Sequence, residues 1–148
     1  MNVKSPAGHE DAQLILNLYE LRREEKMRAA RDWFAREFFP QSIDDIKATL
    51  NPANPNNAYF RMVTSYWDMA ASFVVHGVLN GELFLESGGE MLFVWAKIGD
   101  FIPQMREEFG LQVYLSNIEK VIGRVDWAPD RVAWLRNRIE QARKARSA

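Results

Sequence analysis

Cysteine is absent, and histidine occurs only twice, as His9 and His76. Without cysteine there is no disulfide, no thiolate nucleophile and no zinc site built on sulfur. A di-iron helical bundle needs about four carboxylates and two Glu-x-x-His pairs. No Glu-x-x-His occurs in the chain. An excess of one charge is missing too. The formal net charge is −1, so a global attraction to nucleic acid or to acidic membrane is not expected. Long apolar runs are equally scarce. The stretch from Met69 to Leu79 is interrupted by Ser72, His76 and Gly77 and is too short to span a bilayer. "MNVKSPAGHEDAQ" at the start has no apolar core of signal-peptide type. These absences lead us to expect a soluble, cytoplasmic protein.

What is present fits one all-α domain over 1–148. The 148 residues can bury a core without staples. Leu14, Leu18 and Leu21, then Met27, Ala30 and Phe34, recur at helical spacing and predict one long helix from about His9 to Phe38. Glu24 can pair with Arg28 and Asp32 with Arg36, each four residues on. Pro40 stops that helix. A short helix capped by Ser42 follows, then the loop "NPANPNN", whose prolines forbid a helix interior.

The third predicted helix covers about 57–79. Arg61, Thr64, Ser65, Asp68, Ser72 and His76 share an arc of roughly 120°. Its remaining girth, Phe73 included, is apolar, so we place it at the centre of the fold. Asn80 should cap a short helical turn. Ser87 and Glu90 stand in capping-box spacing and predict a helix start at "SGGE". That helix should run to Phe109, kinked by Pro103 and ended by a left-handed Gly110. A fifth helix is predicted over 111–122, and a last one from near Pro129, for five to six in all.

Gly77, Leu79, Asn80, Glu82 and Leu83, followed by Gly89, Glu90, Trp95, Ile102 and Arg106, form a pattern of their own. It resembles a group of bacterial all-helical domains of unknown function, over the middle third of the chain. The resemblance implies an all-helical fold and no particular activity.

Candidate chemistry is sparse. Asp68, Ser72 and His76 lie on one helix face, but about 12 Å of helix axis separates Asp68 from His76, too far for a catalytic triad. His76 is therefore read as structural. "GHED" at 8–11 suits a helix cap better than a metal site. Glu82, Glu86 and Glu90 read as solvated carboxylates at helix starts. "SGGE" lacks the sequence context of a phosphate loop. Trp33, Trp67, Trp95, Trp127 and Trp134 are read first as core. Six bases (Arg131, Arg136, Arg138, Arg143, Lys144, Arg146) against Glu140 make the tail basic, and its cations are expected to meet carboxylates, such as those near Glu107 and Glu108, or solvent.

The sequence thus supports a non-catalytic interaction or regulatory module, self-associating or bound to a protein partner. It suggests no catalytic residue, metal, cofactor, nucleic acid or membrane partner. The alternative is a small-molecule-binding or enzymatic bundle with a pocket near Tyr66, Trp67, His76 and Trp95.

Overall fold

At the first helix, the Gly8 amide donates to the Asp11 carboxylate at 2.9 Å, so "GHED" does act as a cap. The computed structural model describes residues 6–147, and every regular element among them is helical. They are α1 (His9–Arg23), α2 (Glu25–Arg36), α3 (Ile43–Leu50), α4 (Asn57–Val75), α5 (Gly81–Ser87), α6 (Glu90–Ile98), a 3-10 turn (Gly99–Phe101), α7 (Ile102–Phe109), α8 (Ser116–Arg124) and α9 (Ala128–Ser147). The all-α expectation holds; the expectation of five to six helices does not, because two predicted helices are each cut in two and the short turn expected after Asn80 is a helix of its own, α5.

The first cut falls at Glu24. Its backbone turns to φ −56°, ψ 143°, and its carboxylate accepts the Met27 amide at 3.0 Å. Glu24 therefore caps α2 instead of pairing along a continuous helix with Arg28. The break lets α1 and α2 aim their stripes separately. α1 buries Leu18, and α2 buries Met27, Ala30, Trp33 and Phe34. Asp32 and Arg36 do pair, at 2.9 Å.

The second cut precedes Pro103. The chain tightens into the 3-10 turn at Gly99, and Pro103 then stands in the first turn of α7, where its missing N–H leaves no gap. Gly99 is required by packing: a Cβ there would lie 2.7 Å from the Trp95 indole. Gly110 ends α7 at φ +66°, as expected.

α4 stops at Val75, short of the predicted Leu79. Gly77 turns left-handed at φ +76°, and the amides of Val78 and Leu79 both return to the Phe73 carbonyl. α4 buries Phe60, Val63, Thr64, Tyr66, Trp67, Ala70 and Ala71, packing against α2, α3 and α8. Phe73 is only half-buried. α8 starts at Ser116, five residues later than predicted. Leu115 precedes it at φ +53° with no capping side chain of its own. Asp68 of α4 supplies the cap, accepting from the Asn117 and Ile118 amides at 3.1 Å each.

α9 lays buried Val132 and half-buried Leu135 and Ile139 on the core, and it packs mainly against α6. Two of its cations meet carboxylates as expected, but these are Asp100 and Glu140, not Glu107 or Glu108. Arg136 pairs with Asp100 at 3.1 Å, Arg143 pairs with Glu140, and Arg146 donates to the Arg36 carbonyl at 2.8 Å. Glu108 is held by Lys47. No helix among the described residues is long and apolar enough to cross a membrane.

Candidate functional site

Three places gather polar or exposed side chains in ways that bear on function. The first lies where α1, α2, α4 and α6 meet. Arg31 grips Glu90 through two parallel hydrogen bonds, 2.9 and 3.1 Å long, and also donates to the Arg22 carbonyl at 3.0 Å. The Trp67 indole donates to the same Glu90 carboxylate at 3.1 Å. Tyr66 meets Trp67 edge to face at 4.9 Å, and its hydroxyl donates to the Leu18 carbonyl at 2.5 Å. Burial, above all, holds that phenol above its ordinary range.

This geometry changes the reading of "SGGE". Ser87 is the last residue of α5, and its hydroxyl turns back to the Phe84 carbonyl. It does not cap α6. Glu90 faces Arg31 and Trp67, tying three helices together instead of closing a local box. In the sequence nothing distinguishes Arg31, which reads as one more cation in a charged helix.

Of the four residues of the ligand-pocket alternative, Tyr66 and Trp67 are together and buried, with their polar atoms engaged inside the protein. Trp95 is buried against Gly99, on α6. His76 is exposed at the C-terminal end of α4, where its amide caps the helix by donating to the Ser72 carbonyl at 2.9 Å.

The second place is the polar stripe of α4 with the turn before α8. Arg61, Ser65, Asp68, Met69 and Val113 line an open groove there. Exposed Phe109 ends α7, and the turn carries exposed Leu111 and Val113, the last 77% accessible. It is built rigidly. The Leu111 amide donates to the Arg106 carbonyl, the Tyr114 amide to the Leu111 carbonyl and the Ser116 amide to the Val113 carbonyl. Arg106 reaches across to the Tyr114 carbonyl at 2.9 Å and to Glu119 at 3.1 Å.

The third place is a cleft of about 340 Å³ between α6 and α9, near the end of α2. Lys97 lines it and is only 6% exposed. Its ammonium donates to the Phe34 and Ala35 carbonyls at 2.6 and 3.3 Å, closing the C-terminal turn of α2. It also lies 4.1 Å from the Phe39 ring centre and 5.0 Å from that of Phe93. Desolvation first, then the charge of Arg146, brings this amine down to about 7. Arg136, Arg143, Asp100 and Glu140 line the same cleft. Lys97 has one signal in the sequence, a lone charge in the apolar run "MLFVWAKI", and periodicity alone does not single it out.

Comparison with curated proteins returned no match, and neither did comparison with solved structures. Comparison with family models gave one. Residues 7–125 match the family described as Domain of unknown function (DUF4760), and the chain belongs to that family.

Proposed function

We propose that the protein is a non-catalytic interaction module that self-associates through the turn between α7 and α8. One observation carries this reading: Phe109 at the end of α7, and Leu111 and Val113 on the turn, stand exposed together, and the turn's backbone is held by its own hydrogen bonds. Loops that only connect helices are usually polar and loosely held. A pre-ordered turn loses little entropy on docking. Val113 and Met69 line one groove with Arg61 and Asp68, so the patch carries both charges beside apolar surface. A two-fold contact joins the same patch on two copies and needs that kind of self-complementarity. A chain of net charge −1 offers little repulsion to its own copy.

The small-molecule reading, with Tyr66, Trp67, His76 and Trp95 as a pocket, ranks second. The polar atoms of Tyr66 and Trp67 are committed to Leu18 and Glu90, leaving few convergent groups for a ligand there.

Sedimentation of the purified protein from about 1 to 500 μM tests the proposal. A concentration-dependent dimer, shifted to monomer in the Val113→Asp variant at unchanged melting temperature, is the expected result. A monomer across the whole range, or a dimer indifferent to Val113→Asp, overturns it.

A further inference from the structure

The cleft between α6 and α9 is lined by other residues than the self-association patch and carries a different chemistry. We infer that it binds a small organic acid: a phosphate or carboxylate on an apolar body, with the acid group on Lys97 and Arg143 and the body against Phe39 and Phe101.

Charge favours an anion here. Lys97, Arg136, Arg143 and Arg146 face the region from α6 and α9; Asp100 from the 3-10 turn and Glu140 from α9 oppose them. Three cations thus line the cleft against two carboxylates, and Arg146 adds a fourth nearby, over Phe39. Asp100 is the exchangeable carboxylate. Asp100 is 73% exposed in its pair with Arg136, and Glu140 is half-exposed in its pair with Arg143. The Asp100 pair, mostly in solvent, holds weakly and is displaced at small cost; Glu140 grips Arg143 through two bonds, so a ligand acid there shares the guanidinium with it.

Lys97 is not exchangeable in that way. A protonated amine has three N–H bonds, and two of them go to the Phe34 and Ala35 carbonyls. The third has no oxygen partner among the described residues, and Lys97 lines the cleft. Phe39 and Phe101 supply apolar wall beside it, and about 340 Å³ suits a ligand of one ring and one acid group. The mouth cations come from α9, which begins after residue 125, so they lie beyond the residues matched to the family.

The protonation state gives a signature that a chance surface anion lacks. With the amine near 7, most Lys97 is neutral at pH 8 in the free protein. An acid group beside it favours the charged form. Binding at pH 8 must therefore take up a proton.

The probe is phenyl phosphate, titrated calorimetrically at pH 8 in two buffers of different ionisation enthalpy, with benzyl alcohol as the uncharged control. Expected are saturable binding of phenyl phosphate alone and net proton uptake. Arg143→Gln, which removes one same-helix pair and no core contact, should weaken binding about tenfold. Lys97→Met should abolish the proton uptake. If Lys97→Met does not fold, proton uptake by the wild type and the Arg143→Gln affinity decide the matter. No saturable binding up to 10 mM, binding without proton uptake, or affinity unchanged in Arg143→Gln overturns the inference.

Discussion

Lys97 is the residue whose ionisation should be felt by the whole fold. An unfolded lysine titrates near 10.4. Folded, Lys97 titrates at about 7, because burial and then Arg146 disfavour its charge. Between those values the unfolded chain holds a proton that the folded chain lacks, so stability rises with pH across that window. Below 7 both states are protonated, and the cost of burying the ammonium is present in full. Above 10.4 it is gone. The rise should amount to roughly 3–5 kcal/mol, because each pH step of one across the window is worth about 1.4 kcal/mol. Urea melts of the wild type at pH 7, 8.5 and 10 should show it, and Lys97→Met should flatten it. A wild-type curve already flat over that range would mean that Lys97 is charged and comfortable where it sits. The lone charge in "MLFVWAKI" marks this residue in the sequence, but it does not say where the side chain goes. Burial of a single cation depends on which helices close over it, and periodicity carries no such information.

At the scale of the element, what was legible was whatever depends on a few neighbouring residues. Ser42, Asn80 and Gly110 act as the sequence predicts, because each needs only its own turn of backbone. Ser87 and Glu90 do not, because a more distant group competes. Arg31 and the Trp67 indole take the carboxylate that local spacing assigns to a capping box. The same competition explains the helix breaks. Leu14 to Phe34 reads as one periodic run, yet its two halves face different neighbours, and a turn at Glu24 serves both. Of the candidate site residues, Tyr66 and Trp67 pack edge to face, His76 is exposed at the end of α4, and Trp95 lies against Gly99. Two cap variants separate local from tertiary roles. Asn80→Ala removes the acceptor for the Leu83 amide, 2.9 Å away, and should cost about 1 kcal/mol in denaturant melts. Ser87→Ala should change stability by less than about 0.5 kcal/mol, as for surface positions that cap nothing. A Ser87 loss as large as that of Asn80 would restore the capping box.

For the molecule as a whole, the instructive element is α6. Met91, Leu92, Val94, Trp95, Ala96, Lys97 and Ile98 are all buried in one short helix. A helix apolar on every side needs cover on every side, and α9 provides part of it. The family match ends at 125, before that cover begins. A chain shortened to residues 1–125 should therefore melt well below the full protein and bind an apolar dye such as ANS, checked by thermal melts and dye fluorescence. Equal melting temperatures for the two would mean that the remaining helices close over α6 by themselves.

The five tryptophans divide by surroundings. Trp33, Trp67 and Trp95 are buried, whereas Trp127 and Trp134, which lie just before and within α9, stand about half in solvent. Arg131 and Arg138 flank the Trp134 ring. The molecule is thus two chromophore populations in one chain. The inner three, shielded from solvent, should emit at shorter wavelength and stay out of reach of acrylamide. The outer two emit to the red and are open to collision. Because both outer indoles belong to the C-terminal end, the red, quenchable part of the emission reports on that end alone, and its intensity can be followed without attaching any label.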